Sequence, residues 1–187
     1  MKELSKALAE FTRLFDRLNV QYAVMGGIAV RAHGIPRPTQ DVDFTVAIQR
    51  DHLQEFYDAA RLLGYSIPEE YASGWVDQVA GMPLVRVRNY TEGKSIDVDV
   101  FLAESPFQRE LLARARIEQV DDLAIRVVTP EDLILLKLLA RRPRDLGDVG
   151  DILFTQGELD EAYLRHWAKE LGVLAELENA LAEPPPI

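Results

Sequence analysis

The 187-residue chain contains no cysteine, which excludes disulfides, thiolate zinc sites and cysteine nucleophiles and leaves His, Asp and Glu as ligands for any metal. A resident metal is therefore expected to be a hard cation with oxygen ligands. No stretch reaches the roughly 18 uninterrupted apolar residues of a membrane helix, and Met1-Lys2-Glu3-Leu4 lacks the apolar core of a signal peptide. The expectation is a cytoplasmic protein without membrane contact. Positive charge is also scarce, with 21 Lys+Arg against 31 Asp+Glu for a net charge of −10. That balance opposes generic attraction to a phosphate backbone, so generic DNA binding is not expected and any contact with RNA would need a local basic patch. What the chain does have is 48% hydrophobic residues, enough for one substantial core or one core with a helical appendage.

The hydrophobic periodicity predicts an amphipathic helix over 2–18, a short strand over 20–25, and a short helix over 28–33 that Gly34, Pro36 and Pro38 keep from continuing. A strand over 41–46 and a helix over 50–63 follow, then strand candidates at 75–79, 83–89 and 94–102. Residues 106–116 read as helix and 117–128 as one or two strands, and Thr129-Pro130-Glu131-Asp132 caps a helix running to about Arg141. The remainder reads as helical, with two helices within 160–181. The fold class is α+β, a mixed β-sheet flanked by helices with a C-terminal helical region. Its expected parts are a core over 1–128, a helical subdomain over 129–183 packed on it, and a disordered tail over 184–187 carrying Pro184-Pro185-Pro186.

Asp41 and Asp43 lie two apart on a predicted strand, so both carboxylates leave the same face. Two like charges held together are costly unless a cation neutralises them, and Mg²⁺, with its preference for oxygen, suits such a pair. Asp97 and Asp99 repeat the spacing on a second strand, and pairing of the strands would bring a third carboxylate to the cluster. Gly26-Gly27 supplies bare backbone N–H groups at a helix start, suited to phosphate oxygens. Phosphate and metal sites side by side are the equipment of phosphoryl or nucleotidyl transfer.

These residues resemble a known family. Gly26-Gly27, thirteen intervening residues, Asp41-x-Asp43 and a later hydrophobic-Asp-hydrophobic strand are similar to the minimal nucleotidyltransferase fold of the DNA polymerase β superfamily. The context from Gly26 to Asp43, together with Pro130 to Lys137 and Arg144-Asp145 through Asp148, resembles its bacterial branch of abortive-infection (AbiEii-like) toxin nucleotidyltransferases. The resemblance implies an enzyme that transfers a nucleoside monophosphate from an NTP such as ATP to an acceptor hydroxyl and releases pyrophosphate. Asp41 and Asp43 would bind Mg²⁺ and Asp99 or Asp97 would be the third carboxylate, with Asp99 favoured by the residues that follow it. Lys137 and Arg37 would contact the triphosphate beside Gly26 and Gly27. Many superfamily members carry Gly-Ser where this chain has Gly26-Gly27, so a hydroxyl contact to phosphate is missing. The acceptor (small molecule, protein or tRNA) is not encoded in these motifs, and a toxin role implies a partner protein of a toxin-antitoxin pair.

Plainer readings compete at several positions. A calcium loop at Asp41 fails because Thr45 stands where an acid is required and no glycine follows. His33 precedes a helix-ending glycine and is assigned to capping rather than chemistry. Lys137 lies amid leucines, where a lysine with its stem in the core competes with an NTP ligand. Arg141, Arg142 and Arg144 either complement a helix end and pair with Asp145 and Asp148, or face a cleft as acceptor contacts. Phe11, Phe15, Phe56 and Tyr57 fall at helical spacing and are assigned to packing. The alternative to an enzyme is a catalytically silent nucleotide-binding or protein-binding partner of the same fold.

Overall fold

In a computed structural model, which describes residues 2–72, 76–79, 81–91 and 93–182, helix α1 (Lys2–Arg17) opens the chain and is followed by β1 (Tyr22–Met25), α2 (Gly26–Ala32), β2 (Asp41–Val46) and α3 (Leu53–Leu62). Next come β3 (Val76–Val79), β4 (Met82–Thr91), β5 (Lys94–Leu102), α4 (Pro106–Arg114), β6 (Arg116–Val120) and β7 (Leu123–Val127). Four helices end it: α5 (Pro130–Ala140), α6 (Pro143–Thr155), α7 (Glu161–Glu170) and α8 (Leu174–Ala182). The expected strands over 41–46 and 94–102 coincide with β2 and β5. The segment 117–128 is two strands. Residue 75 of one strand candidate and the tail over 184–187 lie outside the described residues.

The strands form one seven-stranded sheet in the order β3-β4-β5-β2-β1-β7-β6. It is mixed, because β2 pairs with β5 and β1 with β7 in parallel while the other neighbours run antiparallel. Alternation along the central strands separates two faces. Val42, Phe44 and Val46 of β2 and Val98, Val100 and Leu102 of β5 are fully buried, and the Phe44 ring meets Phe11 and Phe15 of α1 at 6.4 and 5.1 Å between centroids. Phe56 and Tyr22 join the cluster. The aromatics are therefore core, as their spacing predicted. Asp41, Asp43 and Thr45 point to the other face, away from α1.

Helix α5 has little amphipathic character because it is covered on all sides: Leu133, Ile134, Leu135, Leu136 and Leu138 are buried, and so is Lys137. Its start is capped by Thr129, whose hydroxyl accepts from the Asp132 N–H. Its end is set by Arg141 at φ 55°, after which Pro143 opens α6 in the first turn, where a missing N–H costs nothing.

Candidate active site

Parallel pairing in register places Asp41 beside Asp97 and Asp43 beside Asp99, and Asp43 also faces Met25 at the end of β1. The chain then turns at Gly26 into α2. At Gly26, φ is +64°, and an added Cβ would lie 1.9 Å from Asp43 Oδ2. No L side chain fits there on either count. The Gly26-Gly27 turn thus lies directly against the Asp43 carboxylate. Met25 contributes no side-chain cap to α2, so no capping side chain from Met25 occupies the first backbone N–H groups of the helix.

These residues line one open cleft, whose sheet wall carries Asp41, Asp43, Asp99 and Arg86 and whose other wall carries Lys137 of α5, Arg142 just before α6 and Arg144 of α6. Met82, Leu84 and Phe101 add an apolar margin. Burial, then the neighbouring charges of Asp41 and Asp99, push the Asp43 carboxyl up to about 8, against the pull of Lys137 and Arg142. Burial also raises Asp99, opposed by its hydrogen bonds from Arg86. The oxygen-only donor set, with its acidic neighbours crowding Asp43, fits a hard divalent cation. Among the described residues no three His, Asp or Glu side chains are gathered closely enough to hold an ion as they stand.

Of the residues singled out from sequence, Gly26, Gly27, Asp41, Asp43, Asp99 and Lys137 line this cleft; Arg37 and Asp97 are held elsewhere. Asp97 lies outside the cleft lining and pairs through both oxygens with Arg88, at 2.5 and 2.7 Å, the same two-point contact that Arg86 makes with Asp99 inside it. Arg37 is forked onto Asp148 at 2.6 and 3.2 Å, with only a tenth of its side chain exposed. Lys137 does not snorkel to solvent. Its ammonium is 2.9 Å from Asp145 and 2.6 Å from Asp148. Arg142 pairs with Asp145, as the helix-end reading of the arginine run expected, but it and Arg144 also face the cleft, while Arg141 pairs with Glu176. His33 binds the Val128 carbonyl at 2.9 Å, which fixes α2 to the end of β7.

Sequence reasoning missed Arg86, which donates to both oxygens of Asp99 at 2.6 and 2.7 Å. The signal was present. Thr91 pairs with Lys94 across the hairpin, and counting outward residue by residue brings Arg88 opposite Asp97 and Arg86 opposite Asp99. It also missed Thr39, whose hydroxyl donates to Asp41 Oδ1 at 2.7 Å.

Comparison with known proteins gives a family model described as "Nucleotidyl transferase AbiEii toxin, Type IV TA system", matched over residues 7–184. No curated protein matches the chain. Among solved structures, an antigenic nucleotidyltransferase-like protein from Paracoccidioides brasiliensis is 20% identical, with a TM-score of 0.54 over 97% of this chain and 93% of that one. ANT(2")-Ia in complex with adenylyl-2"-tobramycin is 12% identical, with a TM-score of 0.57 over 98% and 100%. The lincosamide antibiotic adenylyltransferase LnuA, lincomycin-bound, is 18% identical, with a TM-score of 0.51 over 81% and 97%. At these identities the likeness to solved structures is one of fold.

Proposed function

Because the chain belongs to the AbiEii nucleotidyltransferase toxin family, we propose that it transfers a nucleoside monophosphate from an NTP to an acceptor hydroxyl in this cleft, as a toxin-type enzyme with a partner antitoxin. The observation that carries the reading is the delivery of Asp41, Asp43 and Asp99 by two in-register parallel strands to one cleft, with the glycine turn against them and Lys137 and Arg142 across from them. Asp41 and Asp43, with Asp99, would hold Mg²⁺. When bound, the ion supplies neutralisation of charge on the attacking and leaving oxygens.

The chain's own residues do the rest. The backbone of Gly26 and Gly27 receives phosphate oxygens, and Lys137 and Arg142 offset the negative charge of the triphosphate. Asp99 accepts the proton of the acceptor hydroxyl. The hydroxyl oxygen bonds to the α-phosphorus as the bond from that phosphorus to the bridging oxygen breaks, and pyrophosphate leaves with the bonding pair. Arg86 keeps Asp99 oriented. Its guanidinium also restrains the rise that burial imposes on that carboxyl, so that the carboxylate form is available to take the proton. The helical region from residue 129 acts in this reading as the second wall of the site.

Calorimetry tests the proposal. ATP, GTP, CTP and UTP are titrated with and without Mg²⁺ into the native chain and into a variant carrying both Asp41→Asn and Asp43→Asn. Metal-dependent binding of at least one NTP, lost in the variant, is expected; pyrophosphate release is then followed across small molecules, proteins and tRNA as acceptors. Absence of NTP binding under every condition would overturn the reading and favour a silent partner.

A further inference from the structure

The loop between α2 and β2 carries one side chain that touches both halves of the cleft floor. Thr39 donates its hydroxyl to Asp41 Oδ1 at 2.7 Å, with the Asp41 carbonyl oxygen more distant at 3.3 Å. The same side chain lies on the bare Cα of Gly27. A Cβ added at Gly27 would stand 2.7 Å from both Thr39 Cβ and Thr39 Oγ1, closer than any side chain tolerates. The two glycines therefore leave room for two different neighbours: Gly26 for the Asp43 carboxylate, Gly27 for Thr39. Thr39 is partly buried, and its bond to Asp41 leaves Oδ2 of that carboxylate unengaged by the hydroxyl.

We propose that Thr39 is a positioning residue that fixes the Asp41 carboxylate relative to the Gly26-Gly27 turn, so that the metal-holding oxygen and the phosphate-holding backbone are set at one distance before substrate arrives. This rests on the function proposed above. Preorganisation of this kind stabilises the bound state because the ordering of a free carboxylate has already been completed on folding. Strand pairing alone cannot supply it, because pairing fixes the backbone of Asp41 and leaves its χ angles to turn. The local alternative is a threonine that merely tidies the entry to β2. In that case the hydroxyl would matter to folding and not to metal-dependent binding.

The test compares Thr39→Val, which keeps the shape resting on Gly27 and removes the donor, with Thr39→Ser, which keeps the donor. In each, the Mg²⁺ concentration giving half-maximal NTP binding is measured by calorimetry on the full chain with the four common NTPs, and the melting temperature is recorded alongside. The expected result is a rise of about threefold to tenfold for Thr39→Val, the cost of ordering one freed side chain on binding. Thr39→Ser should stay within about twofold of the native chain, because the bond remains. Gly27→Ala reaches the same contact from the other side. Its methyl group displaces Thr39, so it should reproduce the rise, and the double variant with Thr39→Val should be no worse than the more impaired single change. Native half-saturation in Thr39→Val, equal losses in Val and Ser, or additive losses in the double variant would each overturn the proposal. If Thr39→Val does not fold, Thr39→Ala, which also lacks the donor, decides it against Thr39→Ser by the same readout. Failure of the native chain to bind any NTP in a metal-dependent way overturns both this inference and the function on which it rests; native binding with an unaffected Thr39→Val overturns this inference alone.

Discussion

Two acidic clusters face each other across the cleft, and they differ in whether the protein supplies their cations. On the helical side, Asp145 and Asp148 are both buried, but Lys137, Arg142 and Arg37 reach them at 2.6 to 2.9 Å. Burial works against the charged form of Asp145, yet hydrogen bonds from Arg142 and Lys137 outweigh it and hold the carboxyl below its usual range. On the sheet side, Asp41, Asp43 and Asp99 share one arginine, Arg86, which is committed to Asp99, and Asp43 is driven up to about 8. One cluster is complete within the fold. In the other, Asp43 is pushed toward its protonated form, so that ionising the whole set calls for a further cation, and that asymmetry marks it as a candidate site rather than a structural ion-pair network.

The largest effect is expected from Asp43→Asn, which should lower the rate of transfer by on the order of 10³ while leaving the metal-free fold intact or more stable. Pyrophosphate release and urea unfolding, run in parallel, check the two halves. The sign follows from linkage. Because the folded-state value of Asp43 is raised, the native chain holds a proton that the unfolded chain releases between its ordinary acidic range and about pH 8. Stability of the metal-free protein should therefore decline as pH rises through that window, and Asp43→Asn should remove that part of the decline.

Breaking the completed cluster should act the other way. Lys137→Met leaves Asp145 and Asp148 short of a buried partner and should cost about 3–5 kcal/mol of stability, read from denaturant midpoints at constant slope. A variant as stable as the native chain would show that Arg37 and Arg142 suffice. A smaller effect is expected from Arg86→Met. With the guanidinium gone, burial and the neighbouring carboxylates act on Asp99 unopposed, so the acidic limb of the rate profile should move up by about 1 pH unit or more.

The smallest effect lies outside both clusters, at His33. Burial lowers its value below the ordinary 6.5 despite its bond to Val128. The unfolded chain then takes up the proton first as pH falls, and stability should be lost from about pH 6.5 downward. His33→Gln, which keeps a donor for the Val128 carbonyl, should flatten that limb without affecting NTP binding.

Strands β2 and β5 were legible because period two is a local property: Asp41 and Asp43, and Asp97 and Asp99, must each share a face wherever an extended segment forms. The glycine turn was legible because Gly26 needs a positive φ that other residues avoid. Lys137 stayed open because its neighbours in sequence are leucines, whereas its partners lie 8 and 11 residues on, in another helix. Arg37 was expected, by resemblance, at the triphosphate, and the structure spends it on Asp148, 111 residues away.

By itself, then, the sequence determined the strand bearing Asp41 and Asp43, the strand bearing Asp97 and Asp99, the glycine turn, and the family whose pattern they carry, all of them consequences of spacing along an extended or turning backbone. Only the tertiary structure decided between Asp99 and Asp97 as the aspartate lining the cleft, placed Thr39 between Asp41 and Gly27, and sorted the buried charges into a matched set and an unmatched one. Charge compensation depends on which side chains meet within a few ångströms, and that is fixed when α5 packs on α6 and α2 and not before.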